Sequence, residues 1–197
     1  MKRGLNILVV GVGGQGNILF SKILGEVLLN SGYDVKISEV HGMAQRGGSV
    51  VTYVKAAEKV FSPLVDIAQA DFILAFEKLE ALRWLGYLKK EGTLIYSDYE
   101  IPPVSVITGA YEYPDVEGIL QEIGVRAYKI EVKKLLSSLG NSRVQNTLML
   151  GFFSRFLDID EALFKKSIER NVKKEFIEIN LKAFELGRRI EMCEVEK

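Results

Sequence analysis

Residues 11–16, Gly-Val-Gly-Gly-Gln-Gly, constrain this chain more than any other stretch. Before them, residues 5–10 form a short continuous apolar run of the kind found in buried parallel strands. After them, Ile18, Leu19, Ile23, Leu24, Val27 and Leu28 share one helical face, and Gly32 stops the pattern. Residues 35–40 read as the next strand. The spacing predicts a β-loop-α-β unit with a glycine-rich turn at the first strand's carboxyl end, the opening of an α/β, Rossmann-like fold.

Such a turn has a direct chemistry. Glycines permit the tight path and let a ligand approach the backbone, while the free N–H groups of the following helix attract anions. Gly11, Gly13, Gly14 and Gly16 are therefore a candidate ligand- or phosphate-binding loop. Glu39, 23 residues after Gly16, stands where a dinucleotide site places its ribose-binding acid. Gln15 argues the other way, because a polar side chain inside the turn competes for the space of a pyrophosphate. A P-loop is excluded, since Asn17 and Ile18 occupy the positions of its Lys and Ser/Thr. A ligand-binding turn and a purely structural one both remain open.

The second motif is His-Gly-Met-Ala-Gln-Arg-Gly-Gly at 41–48, too glycine-rich for a crossover helix. If strand order reverses near the first strand, this loop borders the ligand crevice. Arg46 is suited to bidentate capture of a phosphate or carboxylate, and Gly47 and Gly48 allow backbone N–H groups to converge on the same anion. His41, the sole histidine, is a candidate proton or hydrogen-bond donor. Gln45 completes the polar set. The plain alternative is a structural loop with a structural histidine.

Downstream, residues 49–55 and 60–61 read as strands of a hairpin-like insertion, which points to a mixed sheet. Strands are expected at 71–76, 93–97, 104–108 and 127–130, with helices at 77–90 and 114–123. Glu77 reads as an acid in the first turn of its helix, and Glu80 with Arg83 as a surface pair. From 131 onward the chain reads as helical, ending in a stripe of Phe176, Ile179, Ala183, Leu186 and Ile190 that reads as core packing. No linker or repeat interrupts it. The expected architecture is a single domain over 1–197, a three-layer α/β/α mixed sheet over 1–130 with a helical part over 131–197.

Composition removes whole classes of function. The 26 basic and 26 acidic side chains cancel, so no net positive field draws the chain to nucleic acid or a membrane surface. One Cys and one His cannot build an iron–sulfur cluster or a structural zinc site, so no metal is expected here. With no G-x-S-x-G elbow and one histidine, no nucleophile–base set can be assembled and no residue is assigned as catalytic alone. The basic start runs straight into strand-like sequence, and no stretch approaches the roughly 20 apolar residues of a membrane span. A soluble, cytoplasmic protein is expected.

Four blocks together, VGVGGQGN at 10–17, SEVHGMAQRGGSV at 38–50, ADFILAFEKLEALR at 70–83 and NLKAFELG at 180–187, carry a family resemblance. They resemble the gamma subunits or domains of 2-oxoacid:ferredoxin oxidoreductases, in particular the indolepyruvate branch, nearly end to end. The resemblance implies oxidative decarboxylation of a 2-oxoacid to an acyl-CoA, with coenzyme A as cosubstrate and electrons passing to ferredoxin. It also implies that thiamine diphosphate and 4Fe–4S clusters sit on a larger partner subunit, two of each subunit fitting the family, with no cofactor in this chain. Gln15, His41, Gln45 and Arg46 would then face the partner's active site. Two readings compete: a stand-alone NAD(P)- or flavin-binding oxidoreductase, and a non-catalytic nucleotide- or CoA-binding module.

Overall fold

The predicted opening unit is present as Leu5–Val12 (β1), Asn17–Asn30 (α1) and Asp34–His41 (β2). The structure, a computed structural model, describes residues 4–42 and 47–194. Its other strands are Ser49–Ala57 (β3), Ala70–Ala75 (β4), Leu88–Ser97 (β5) and Ala127–Ile130 (β6). The other helices are Lys78–Arg83 (α2), Val104–Ile107 (α3), Val116–Ile123 (α4), Val132–Leu139 (α5), Gln145–Ser154 (α6), Glu161–Asn171 (α7) and Ile177–Arg189 (α8). One six-stranded mixed sheet has the order β2-β3-β1-β4-β5-β6. β3 runs antiparallel to both β1 and β2, whereas β1, β4, β5 and β6 are mutually parallel.

Alternation along β1 divides the interior. Ile7 and Val9 enter the larger apolar cluster beneath α1, α6, α7 and α8, while Leu8 and Val10 enter a smaller one closed by Val65, Ala81, Val116 and Leu120. The expected three-layer α/β/α arrangement is thus formed. The larger cluster draws side chains from both sides of residue 131, from Ile7 through Phe184.

Several local expectations are corrected. The hairpin is β2–β3 rather than 49–55 with 60–61: the pairing ends at Asp34↔Ala57, and Val60 instead donates its N–H to the Asp34 carboxylate at 2.7 Å. The helix expected over 77–90 ends at Arg83, passes through one 3₁₀ turn at Leu85–Tyr87, and gives way to β5. The β-branched stretch at 104–108 forms α3, not a strand. Pro103 caps it at φ −66°, and Val104 and Ile107 are 74% and 72% exposed, beyond the reach of any strand ladder. In α8 the buried line is Asn180, Ala183, Phe184 and Gly187, with Ile179 and Leu186 flanking it.

α6 is buried along its whole length and crosses α8 at paired glycines. A Cβ at Gly151 would lie 2.0 Å from the Phe184 carbonyl oxygen, and one at Gly187 would lie 2.0 Å from that of Leu148. Backbone meets backbone at this crossing, so the helices must separate to admit a methyl group.

Glu26 joins α1 to α7, accepting from Arg170 Nη1 at 2.9 Å and Asn171 Nδ2 at 2.5 Å. Burial alone would raise its pKa, but hydrogen bonds from Arg170, Asn171 and Ser167 outweigh it and hold the value below the ordinary 4.5. A depressed folded-state pKa contributes stability above the unfolded value, lost as pH falls through the folded one.

Two outcomes are expected. Gly151→Ala lowers unfolding free energy by about 3 kcal/mol in denaturant titration, opposite in sign to the gain of about 1 kcal/mol from the same change in an unconstrained helix. Glu26→Gln weakens the protein at neutral pH and flattens the acid limb of its stability profile below the ordinary 4.5, measured by thermal unfolding across pH.

Candidate functional site

β1 is where the sheet reverses direction of growth, toward β3 on one side and β4 on the other. In open α/β sheets ligands bind at the carboxyl edge of such a strand. The glycine turn emerges there. The β2–β3 connection returns to the same edge, because β2 runs along β1 and β3 runs against it. The two motifs are hydrogen-bonded to each other: Gly13 N–H donates to Gly48 C=O at 2.9 Å. His41, Val50 and Gly11 lie in one row across β2, β3 and β1, and Glu39 lies two residues back on the same face.

Between the motifs opens a cleft of about 460 Å³, lined by Val12, Gly13, Gly14, Gly16, Asn17, Ile18, Glu39, His41 and Val50. Gly14 and Gly16 hold φ of 106° and 88°, so the turn needs residues without a Cβ. Gly16 caps α1 without a side-chain hydrogen bond, and the first turn carries no acid. The leading amides of α1 therefore have no internal competitor for an anion. Asn17 is buried at the cleft wall, and neither atom of its side-chain amide has a hydrogen-bond partner; the same holds for Ser21 Oγ and Thr52 Oγ1 nearby.

Gln15 is directed inward. Its Oε1 accepts from Val12 N–H at 2.8 Å and its Nε2 donates to Phe76 C=O at 2.8 Å. Both ends of the amide are thus engaged in joining the turn to the end of β4. Gly11 makes room for this, since a Cβ there would meet Gln15 Oε1 at 2.8 Å. The Phe76 carbonyl also accepts from Gln145 Nε2 at 2.7 Å and Ser97 Oγ at 2.6 Å.

Of the sequence-predicted residues, the structure brings Gly13, Gly14, Gly16, Glu39 and His41 around one cleft. Gly11 and Gln15 form the turn's interior, and Gly47, at φ 78°, precedes the Gly48 carbonyl that anchors the second loop. Gln45 and Arg46 lie outside the described residues. Among the described residues no three metal-ligating side chains cluster, and no helix is long and apolar enough to cross a membrane.

Sequence reasoning missed a second cleft of about 480 Å³ on the other side of the turn, where Tyr99, Ser142, Arg143 and Gln145 face Gly13, Gly14 and Gly16. Its signal was the polar run Asn-Ser-Arg at 141–143, followed by Gln145 and Asn146, just ahead of the apolar stretch 148–153.

Of two acids, Glu77 stands at its helix's N-terminus as expected, and Glu80 is corrected. Glu77, 1% exposed, is the N-cap of α2, and it also accepts from Ile101 N–H at 3.0 Å and Tyr113 OH at 2.6 Å. Burial and this carboxylate push the Tyr113 phenol far above its usual range. Glu80, expected on the surface with Arg83, is 3% exposed. It keeps the Arg83 pair at 2.8 Å while its other oxygen points into the protein.

A family model described as pyruvate ferredoxin/flavodoxin oxidoreductase matches residues 6–190, and the chain belongs to that family. Among named relatives it is similar to the indolepyruvate oxidoreductase subunit IorB of Thermococcus kodakarensis, 38% identical over 188 residues, 92% of this chain and 93% of the relative. The protein of that name from Archaeoglobus fulgidus is 33% identical over 190 residues, 93% of each chain. Solved structures share the fold. The gamma subunit of a keto/oxoacid ferredoxin oxidoreductase from Geobacter sulfurreducens superposes with a TM-score of 0.68 at 22% identity, covering 93% of this chain and 95% of that one. A 2-oxoglutarate:ferredoxin oxidoreductase from Magnetococcus marinus superposes with a TM-score of 0.73 at 21% identity, and there this chain spans 33% of the longer polypeptide.

Gln15→Ala leaves the Val12 N–H and a share of the Phe76 carbonyl without partners. A loss of about 1–3 kcal/mol follows, a fall in Tm of roughly 5 °C by scanning calorimetry.

Proposed function

We propose that this chain is the small, cofactor-free subunit of a 2-oxoacid:ferredoxin oxidoreductase, acting over 1–197 as one gamma-type domain. Its substrate class is aryl pyruvates such as indolepyruvate, decarboxylated oxidatively to an acyl-CoA with electrons delivered to ferredoxin. Full-length similarity to indolepyruvate oxidoreductase subunits supports the substrate class. Thiamine diphosphate and the 4Fe–4S clusters belong to a larger partner subunit, in a cytoplasmic complex with two copies of each. The donors present here do not fit a cluster, since Cys193 is exposed and is the single thiol. No step is derived through those groups on this chain.

The observation that carries the role of this chain is the hydrogen bond joining Gly13 to Gly48. It joins the glycine turn to the end of the 41–48 loop, which supports a role for the two motifs in shaping the approach of coenzyme A or the oxoacid to the partner's active site. Arg46 engages the anionic ligand, while Gln15 fixes the turn and His41 presents its imidazole at the cleft. The uncapped α1 N-terminus supplies a positive end to the same edge.

The dinucleotide reading meets a geometric obstacle. β3 stands between β1 and β2, so Glu39 lies about two strand spacings, ~10 Å, from β1 rather than one.

In the assembled complex Arg46→Ala raises the KM for coenzyme A or for the oxoacid by about 10- to 100-fold, the range of one lost charge-assisted hydrogen-bonding group. Steady-state kinetics with dye reduction measures this, and unchanged kcat and KM for both substrates would overturn the role. Co-purification of the tagged chain with a large, iron–sulfur-absorbing subunit tests the assembly. A partnerless chain whose Tm rises with NAD, NADP or FAD would favour the dinucleotide reading.

A further inference from the structure

The second cleft differs from the first in its charge. Arg143 and Ser142 line it from the 3₁₀ turn Ser142–Val144, opposite Gly13, Gly14 and Gly16. No carboxylate is in its lining, whereas the first cleft includes Glu39. Among the described residues the Arg143 guanidinium has no hydrogen bond or ion pair; only its backbone N–H is engaged, donating to Asn141 Oδ1 at 2.9 Å. The Lys133 ammonium is likewise without a carboxylate partner among them and lies 5.8 Å from the centroid of the Tyr99 ring. Tyr99 lines this cleft and also a neighbouring one of about 310 Å³ that holds Lys133, again with no acid in its lining.

The wall that carries Arg143 is fixed against the turn. Asn146 Nδ2 donates to Gly16 C=O at 3.4 Å, and a Cβ on Gly16 would meet that nitrogen at 2.9 Å. Gln145, which lines the cleft, is only 5% exposed. Its Nε2 is engaged by Phe76 C=O at 2.7 Å, and its Oε1 accepts no hydrogen bond among the described residues. A buried amide oxygen without a donor is costly, so this atom is matched to a donor on a ligand. Across the cleft the N–H groups of Gly14 and Gly16 have no acceptor among the described residues. Free N–H groups of such a turn form a concavity for an anion, and a guanidinium facing them offers paired donors to phosphate oxygens.

We propose that this second cleft binds an organic phosphate. Arg143 and the amides of the glycine turn take the phosphate oxygens, Lys133 adds a second cation, and Gln145 Oε1 accepts from a hydroxyl or N–H of the same ligand. Two sources share this chemistry, the phosphorylated end of coenzyme A and a free nucleotide. The first source rests on the functional reading given above; the site itself does not.

The test uses the assembled complex and isothermal titration with adenosine 3′,5′-bisphosphate, the phosphorylated end of coenzyme A without its thiol arm. Arg143 is exposed, so its truncation leaves the core packing in place; circular dichroism and subunit ratio check this. Binding is expected to weaken by about 10- to 100-fold in Arg143→Ala and to recover in part in Arg143→Lys, which keeps the charge but not the fork. A coenzyme A KM raised by the same factor, with the oxoacid KM unchanged, identifies coenzyme A as the source. An unchanged coenzyme A KM beside lost bisphosphate binding identifies a free nucleotide. No binding to the wild-type complex, or equal binding by wild type, Arg143→Ala and Lys133→Ala, would overturn the site. A complex that binds the bisphosphate through Arg143 yet has no coenzyme A-dependent activity would instead overturn the functional reading and leave this site standing.

Discussion

The amide of Gln15, folded back into its own turn, is the interaction on which the rest of this edge depends. Its oxygen takes the Val12 N–H and its nitrogen reaches the Phe76 carbonyl, so one side chain closes the loop after β1 and ties it to the end of β4. Phe76 C=O is a shared acceptor for Gln15, Ser97 and Gln145, which come from the glycine turn, the end of β5 and the start of α6. Three segments distant in sequence are thereby referred to one atom. A buried polar network of this kind is costly if incomplete and rigid if complete. Here the rigidity falls on the glycine turn that lines the cleft at the sheet's carboxyl edge.

The turn is built differently from a dinucleotide fingerprint that shares its glycine spacing. There, the space under the loop admits a pyrophosphate. Here Gln15 fills the interior, and the openings lie to either side, one toward β2–β3 and one toward Tyr99 and Arg143. The same glycines serve a second purpose, since Gly11 is small enough to let the glutamine lie flat against β1. A glycine pattern alone does not distinguish these uses; the residue standing inside it does.

The opening β-loop-α-β unit, the mixed character of the sheet and the meeting of the two motifs were legible in the sequence, because each rests on local periodicity or on where a strand must end. What was not legible depended on partners remote in sequence. The run at 104–108 carries strand propensity, but the sheet's edge at β6 is taken by Ala127–Ile130, and the prolines leave Val104 and Ile107 to form an exposed helical turn. Glu80 reads as the surface partner of Arg83 by spacing, and becomes a buried anchor only because β3 brings Ser49 beneath it. Arg143 and Gln145 join the edge because α6 runs through the core; the polar run there marks these residues but not the remote turn they meet. Gln45 and Arg46, the most chemically suggestive pair in the sequence, fall outside the described residues.

The antiparallel β3 decides what the edge can become. In a purely parallel sheet the segment after β2 would be a helix covering the second face, and β2 would lie beside β1. Insertion of β3 replaces that helix with a short connection at the carboxyl edge and moves β2 outward by one strand. Two consequences follow together. Glu39 is carried away from the position that would read a ribose next to the glycine turn, and Gly48, at the start of β3, is brought beside that turn. The cleft so formed is bordered by the exposed end of the edge strand and has an uncapped helix end and an unpartnered Asn17 amide in its walls. Its chemistry, helix N–H groups without a side-chain cap beside an unpartnered amide, suits an anionic group, and its architecture explains how a fold that opens like a nucleotide-binding domain parts from one at its second strand.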